Sequence, residues 1–129
     1  MKRLLIANRG EIAIRIARSA ADLGLATVAV YAEDDALSLH IKQSDQALAL
    51  RGVGPAPYLD SAQLIAAAQQ AGCDAVHPGY GFLSEDAAFA RRCADAGLVN
   101  DQQQTHPQTL ADRRGKAFGP HLVITQKSK

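Results

Sequence analysis

Ala75-Val76-His77-Pro78-Gly79-Tyr80-Gly81-Phe82-Leu83-Ser84-Glu85 is the stretch from which this 129-residue chain is read. A short apolar run meets Pro78, two glycines bracket one tyrosine, and Ser84, followed by Glu85 and Asp86, opens a helical pattern that reaches Ala96. The order is strand, tight loop, helix start. Glycine lets a backbone bend sharply or approach a ligand closely, and a helix start offers unpaired N–H groups and a positive dipole end. Two readings follow. The glycines serve only the bend of an ordinary βα turn, or they admit an anion or a polar ring.

Upstream, Lys2 to Ala7 is a nearly continuous apolar run, the signature of a strand buried on both faces of a parallel sheet. After Asn8-Arg9-Gly10, the residues Ile12, Ile16, Ala20 and Leu23 share one helical face, Arg15, Arg18 and Asp22 share another, and Gly24 supplies the stop. Leu25 to Tyr31 is rich in β-branched residues and predicts a second strand, which Glu33-Asp34-Asp35 ends. Leu37 and Ile41 predict a short helix over Ala36 to Gln43, and Ala47 to Leu50 a third strand. Asp60, with Gln63 three residues on, predicts a capped helix running to about Gly72. Ala75 to His77 is the fourth strand, and the helix from Ser84 to Ala96 buries Phe89, Cys93 and Ala96 before Gly97. This alternation predicts an α/β fold, a three-layer doubly wound domain with a mostly parallel sheet, because parallel neighbours need crossover helices. Ligands in such sheets gather beyond the carboxyl ends of the strands.

Leu98-Val99 begins like a fifth strand, but Asn100 to Thr105 is wholly polar. The expected division is therefore a domain over residues 1–99 and a divergent, partly disordered tail over 100–129, with a short strand at Leu122 to Ile124.

Composition narrows the function. A hydrophobic fraction of 47% with 21% charged residues is globular, and a formal net charge of +1 without a basic stripe argues against nucleic acid. The apolar start, Leu4 to Ala7, is broken at once by Asn8-Arg9-Gly10-Glu11, and no stretch is long enough to span a membrane. Cys73 and Cys93 lack metal-ligand spacing and read as buried thiols in a reducing, cytoplasmic setting. Dinucleotide binding needs three glycines after the first strand, and only Gly10 is present. His77 reads more readily as a structural hydrogen-bonding residue than as a proton donor, and Arg9 with Glu11 as a charge pair fixing the first loop. Tyr80, held between glycines, has little packing reason to be there and suits a binding role. Arg18 and Asp22 are i,i+4 neighbours, either a solvated face or an interface. No nucleophile and base pair, P-loop or metal cluster is seen, so the chain does not read as a complete enzyme.

Two stretches, Ile6-Ala7-Asn8-Arg9-Gly10-Glu11-Ile12-Ala13 and His77 to Glu85, together resemble the N-terminal domain of biotin carboxylase, the ATP-dependent component of acetyl-CoA, propionyl-CoA and pyruvate carboxylases. Val28 to Tyr31, Ala47 to Leu50, Gly54-Pro55-Ala56 and Tyr58-Leu59 are also similar, and the resemblance covers Met1 to about Val99. It implies a Rossmann-like domain that precedes an ATP-grasp domain, in an enzyme that carboxylates N1 of carrier-bound biotin from bicarbonate and ATP with magnesium. It implies that Gly79, Tyr80 and Gly81 face the biotin ring, and that the face of Arg15, Arg18 and Asp22 meets a second subunit in a homodimer. Lys116, beyond Pro107 to Leu110, faintly matches a lysine that contacts ATP, although Arg114-Gly115 stands where the family has Gly-Asp. The implied partners are the remaining biotin carboxylase domains, the biotin carrier protein and the carboxyltransferase subunit. No ATP-grasp sequence follows within the 129 residues, so the isolated chain is expected to hold no cofactor and to be inactive. The alternative is a non-catalytic module that docks onto a carboxylase subunit or a carrier protein.

Overall fold

The computed structural model describes residues 2–79, 83–84 and 86–100. Within them lie five strands, β1 (Arg3–Ile6), β2 (Ala26–Tyr31), β3 (Gln46–Ala49), β4 (Ala75–His77) and β5 (Val99–Asn100). The α-helices are α1 (Gly10–Asp22), α2 (Leu39–Lys42), α3 (Ser61–Gln70) and α4 (Ala87–Asp95). Short 3-10 turns cover Glu33–Asp35 and Ala56–Leu59.

Every strand pair is parallel, and the order is β3-β2-β1-β4-β5. A right-handed crossover places its helix on a face set by the direction of travel. Travel from β1 outward to β3 puts α1 on one face; the return past β1 to β4 and β5 puts α3 and α4 on the other. The cores agree. Leu4 and Ile6 pack with Ala13, Ile16, Ala17 and Ala20 of α1. Leu5 and Val76 pack with Leu64, Ala67 and Ala68 of α3 and with Phe89 and Cys93 of α4. Adjacent strand residues point to opposite faces, so the continuous apolar run of β1 supplies both cores.

Helix α1 ends in a Schellman motif. Gly24 adopts φ 74, its amide donates to Ala21 O at 3.0 Å, and Leu25 N donates to Ala20 O at 2.9 Å. The same outer bond recurs at Cys73 N to Ala68 O and Leu98 N to Cys93 O, both 2.8 Å. Each stop turns the chain directly into the next strand. The Asp60 cap forms as the sequence predicts, with Gln63 N on Oδ1 at 3.2 Å and Gln63 Nε2 on Oδ2 at 3.0 Å. Helix α4 differs. It starts at Ala87 rather than Ser84, because Asp86 takes the cap position and its Oδ1 accepts from Phe89 N at 3.1 Å. Phe89 and Cys93 are buried as expected, whereas Ala96, beyond the last turn, is only half-buried. The expected strand at Leu122 to Ile124 lies outside the described residues. No described helix is long and apolar enough to cross a membrane.

Candidate functional site

The strand order reverses between β1 and β4, so the connections leaving their carboxyl ends diverge to opposite faces and leave a crevice between them. Two loops form its floor. One is Asn8-Arg9 after β1; the other is Pro78-Gly79 after β4. The ladder runs Leu4↔Ala75, Leu5↔Val76, Ile6↔His77 and closes with Ala7 N on His77 O at 3.0 Å. Beyond it, Asn8 Nδ2 donates to Pro78 O at 2.6 Å, and Asn8 Oδ1 accepts from Arg9 N at 2.8 Å. Gly79 turns with φ +72, and a Cβ there would lie 2.7 Å from both Asn8 Nδ2 and Ile12 Cγ2. This glycine therefore serves a bend and a close approach at once.

His77 is wholly buried, and its Nδ1 accepts from Gly79 N at 3.0 Å. The bond fixes the neutral tautomer with the proton on Nε2. Burial pushes the imidazole pKa down to about 3, so the ring is a neutral organiser of the loop rather than a proton donor near neutrality.

Arg9 pairs with Asp35 rather than with Glu11. Its Nε lies 3.5 Å from Asp35 Oδ2, its guanidinium carbon lies 5.7 Å from the centre of the Tyr58 ring, and Glu11 is exposed. In the first turn of α1, Glu11 is exposed, whereas the turn that follows β2 delivers Asp35 to Arg9. Tyr58 completes the knot: its hydroxyl donates to Asp35 Oδ2 at 2.7 Å and accepts from Ala32 N at 3.1 Å. Burial, reinforced by the Asp35 bond, pushes the phenol well above its ordinary range. Glu33 Oε2 accepts from Gly52 N at 2.6 Å and Asp34 Oδ1 from Gly54 N at 3.0 Å, so the loops after β1, β2 and β3 are tied together. Nothing local in the sequence marks Asp35 and Tyr58 as a pair, because their link spans 23 residues; the one signal is a tyrosine following Pro55 and Pro57. Tyr58→Phe takes the acceptor from the buried Ala32 amide and one of its donors from Asp35 Oδ2. It is expected to lower unfolding stability by about 1–2 kcal/mol in urea titration; an unchanged midpoint would remove Tyr58 from the knot.

Among the other candidates, Gly79 lies in the crevice, while Arg15, Arg18 and Asp22 are all exposed on the outer face of α1, away from it. Tyr80, Gly81 and Lys116 lie outside the described residues. Cys73 and Cys93 are free thiols, pushed by burial to about 11 and about 12, so neither is a ready nucleophile. Among the described residues no group of three or more His, Cys, Asp or Glu is placed to hold a metal ion.

Residues 1–100 match the family described as biotin carboxylase, N-terminal domain. Pyruvate carboxylase of Staphylococcus aureus is 54% identical over 124 residues, covering 95% of this chain and 9% of that protein. Biotin carboxylase of Halalkalibacterium halodurans is 52% identical over 99 residues, covering 75% of this chain and 22% of that protein. Among solved structures, the biotin carboxylase domain of a single-chain bacterial carboxylase superposes with a TM-score of 0.76 at 59% identity, over 78% of this chain and 24% of that one. The chain thus spans about a tenth to a quarter of the proteins it matches. Parallel strand order, the crevice between β1 and β4, and the match over residues 1–100 lead to one assignment: the chain belongs to the biotin carboxylase N-terminal domain family.

Proposed function

We propose that this chain acts as one wall of a biotin carboxylase centre, in which bicarbonate and ATP supply a carboxyl group to N1 of carrier-bound biotin. The observation that carries the reading is the crevice at the strand-order reversal, with Gly79 at its floor, in a chain of this family. Gly79 and Gly81 then let the backbone come close to the biotin ring, and Tyr80 lies against it. Lys116 contacts ATP. Magnesium belongs to other parts of the enzyme: the acids that lie together here, Glu33, Asp34 and Asp35, already serve Gly52, Gly54, Tyr58 and Arg9. They do not fit a magnesium site, and no step by this chain runs through the metal. Its residues bind and orient; the remaining carboxylase domains complete the centre, and the carrier protein and carboxyltransferase subunit deliver and receive the biotin. The free thiols suit a cytoplasmic enzyme.

The test is a chimera in which residues 1–100 of this chain replace the matched segment of the Halalkalibacterium halodurans biotin carboxylase. It should form ADP in a reaction dependent on biotin and bicarbonate, while the 129-residue chain alone should not. A folded chimera with no biotin-dependent ADP release would sink the reading.

The exposed side chains of Arg15, Arg18 and Asp22 on α1 support a second role, as the surface that meets another subunit. Arg18→Glu is expected to weaken self-association of the chimera, or its capture of a carboxylase subunit, by about tenfold. Sedimentation velocity and pull-down check the two, and unaltered association in both would clear this face.

A further inference from the structure

We propose that Asn8 is a positioning residue for biotin, holding the Pro78–Gly79 backbone at the height from which the ring is received. The proposal rests on the biotin reading above.

Asn8 is buried at the point where the β1–β4 ladder stops. The sheet does not need it, because Ala7 N on His77 O already closes the ladder. What Asn8 adds lies past the sheet, in the loop. Its Oδ1 is held by Arg9 N, which fixes the plane of the amide, and its Nδ2 then reaches the Pro78 carbonyl. One planar group must accept on one side and donate on the other. Among side chains of this size only the Asn amide does both: Asp lacks the donor and Leu lacks both groups. The same Nδ2 occupies the space that a side chain at position 79 would need, at 2.7 Å from its Cβ. Asn8 therefore sets how deep Gly79 sits, from below, while the Gly79 amide is held by His77 Nδ1 from the strand side. The loop backbone is fixed from two elements, and only one of these grips comes from across the crevice.

Asn8→Asp keeps the size and the acceptor for Arg9 N but sets a carboxylate oxygen against the Pro78 carbonyl. In the chimera, with free biotin as substrate, it is expected to raise KM for biotin about tenfold with kcat within about twofold of the parent. A purely structural role would instead lower the folded fraction, and with it the apparent kcat, while leaving KM at the parental value. Unchanged KM or a loss confined to kcat overturns the proposal. Should Asn8→Asp not fold, Asn8→Ser decides: a tenfold higher KM supports the proposal, and a parental KM overturns it. A parent chimera with no turnover sinks the biotin reading and this proposal with it; a working parent with indifferent Asn8 variants sinks this proposal alone.

Discussion

Replacing Gly79 with alanine is expected to destabilise the domain by about 3 kcal/mol, from about 1 for a side chain in the left-handed region and about 2 for overpacking. Both contributions come from the same place. With φ +72 the backbone is where L-residues rarely go, and the added Cβ would meet Asn8 Nδ2 and Ile12 Cγ2 at 2.7 Å. Neither neighbour gives way cheaply. Asn8 is held at both ends by hydrogen bonds to Arg9 N and Pro78 O, and Ile12 packs against the core on the α1 face. Urea denaturation of the parent and variant chains measures the difference. A loss under about 1 kcal/mol would mean that the loop yields easily and that the floor of the crevice is soft.

Acid is expected to unfold the chain through His77. Its folded pKa, about 3, lies below the ordinary histidine value of 6.5, so between these values the unfolded chain binds the extra proton. Stability is therefore full above about pH 6.5 and falls as pH drops toward 3. The loss should be about 2 kcal/mol at pH 5 and about 3 at pH 4. His77→Asn keeps an acceptor near the Gly79 amide and removes the titration. Its melting temperature should start lower yet fall less steeply between pH 7 and 4. Parallel pH profiles for the two proteins would show that another group governs acid unfolding.

Local patterns made much of the fold legible. The apolar run before Asn8, the β-branched residues around Val28, the Asp60 and Gln63 pair and Ala75 to His77 each state their own structure, because burial and capping are decided by neighbours within one turn or strand. The order of strands is not local, and neither were the errors. Ser84 reads as a helix start because a hydroxyl before two acids is a fair cap, but Asp86 competes better from two residues on. Proximity in sequence favours Glu11 as the partner of Arg9, but the partner, Asp35, arrives from the turn after β2. At the site, the glycine beside the tyrosine could be seen as a bend or a close approach. That it is both depends on Asn8, 71 residues away. Nothing in the sequence neighbourhood of Asn8 announces the carbonyl it serves, which lies 70 residues on.

The first described strand lies in the middle of the sheet. β1 is flanked by β2, which follows within one helix, and by β4, whose arrival brings Asp74 Oδ1 onto the Arg3 amide from 71 residues downstream. During synthesis the β1-β2-β3 half can assemble early, but the other edge of β1 then stays open until Ala75 to His77 leaves the ribosome. For that interval the most apolar strand offers bare peptide groups to any passing strand. Nascent chains stalled before Asp74 would thus be the sticky species.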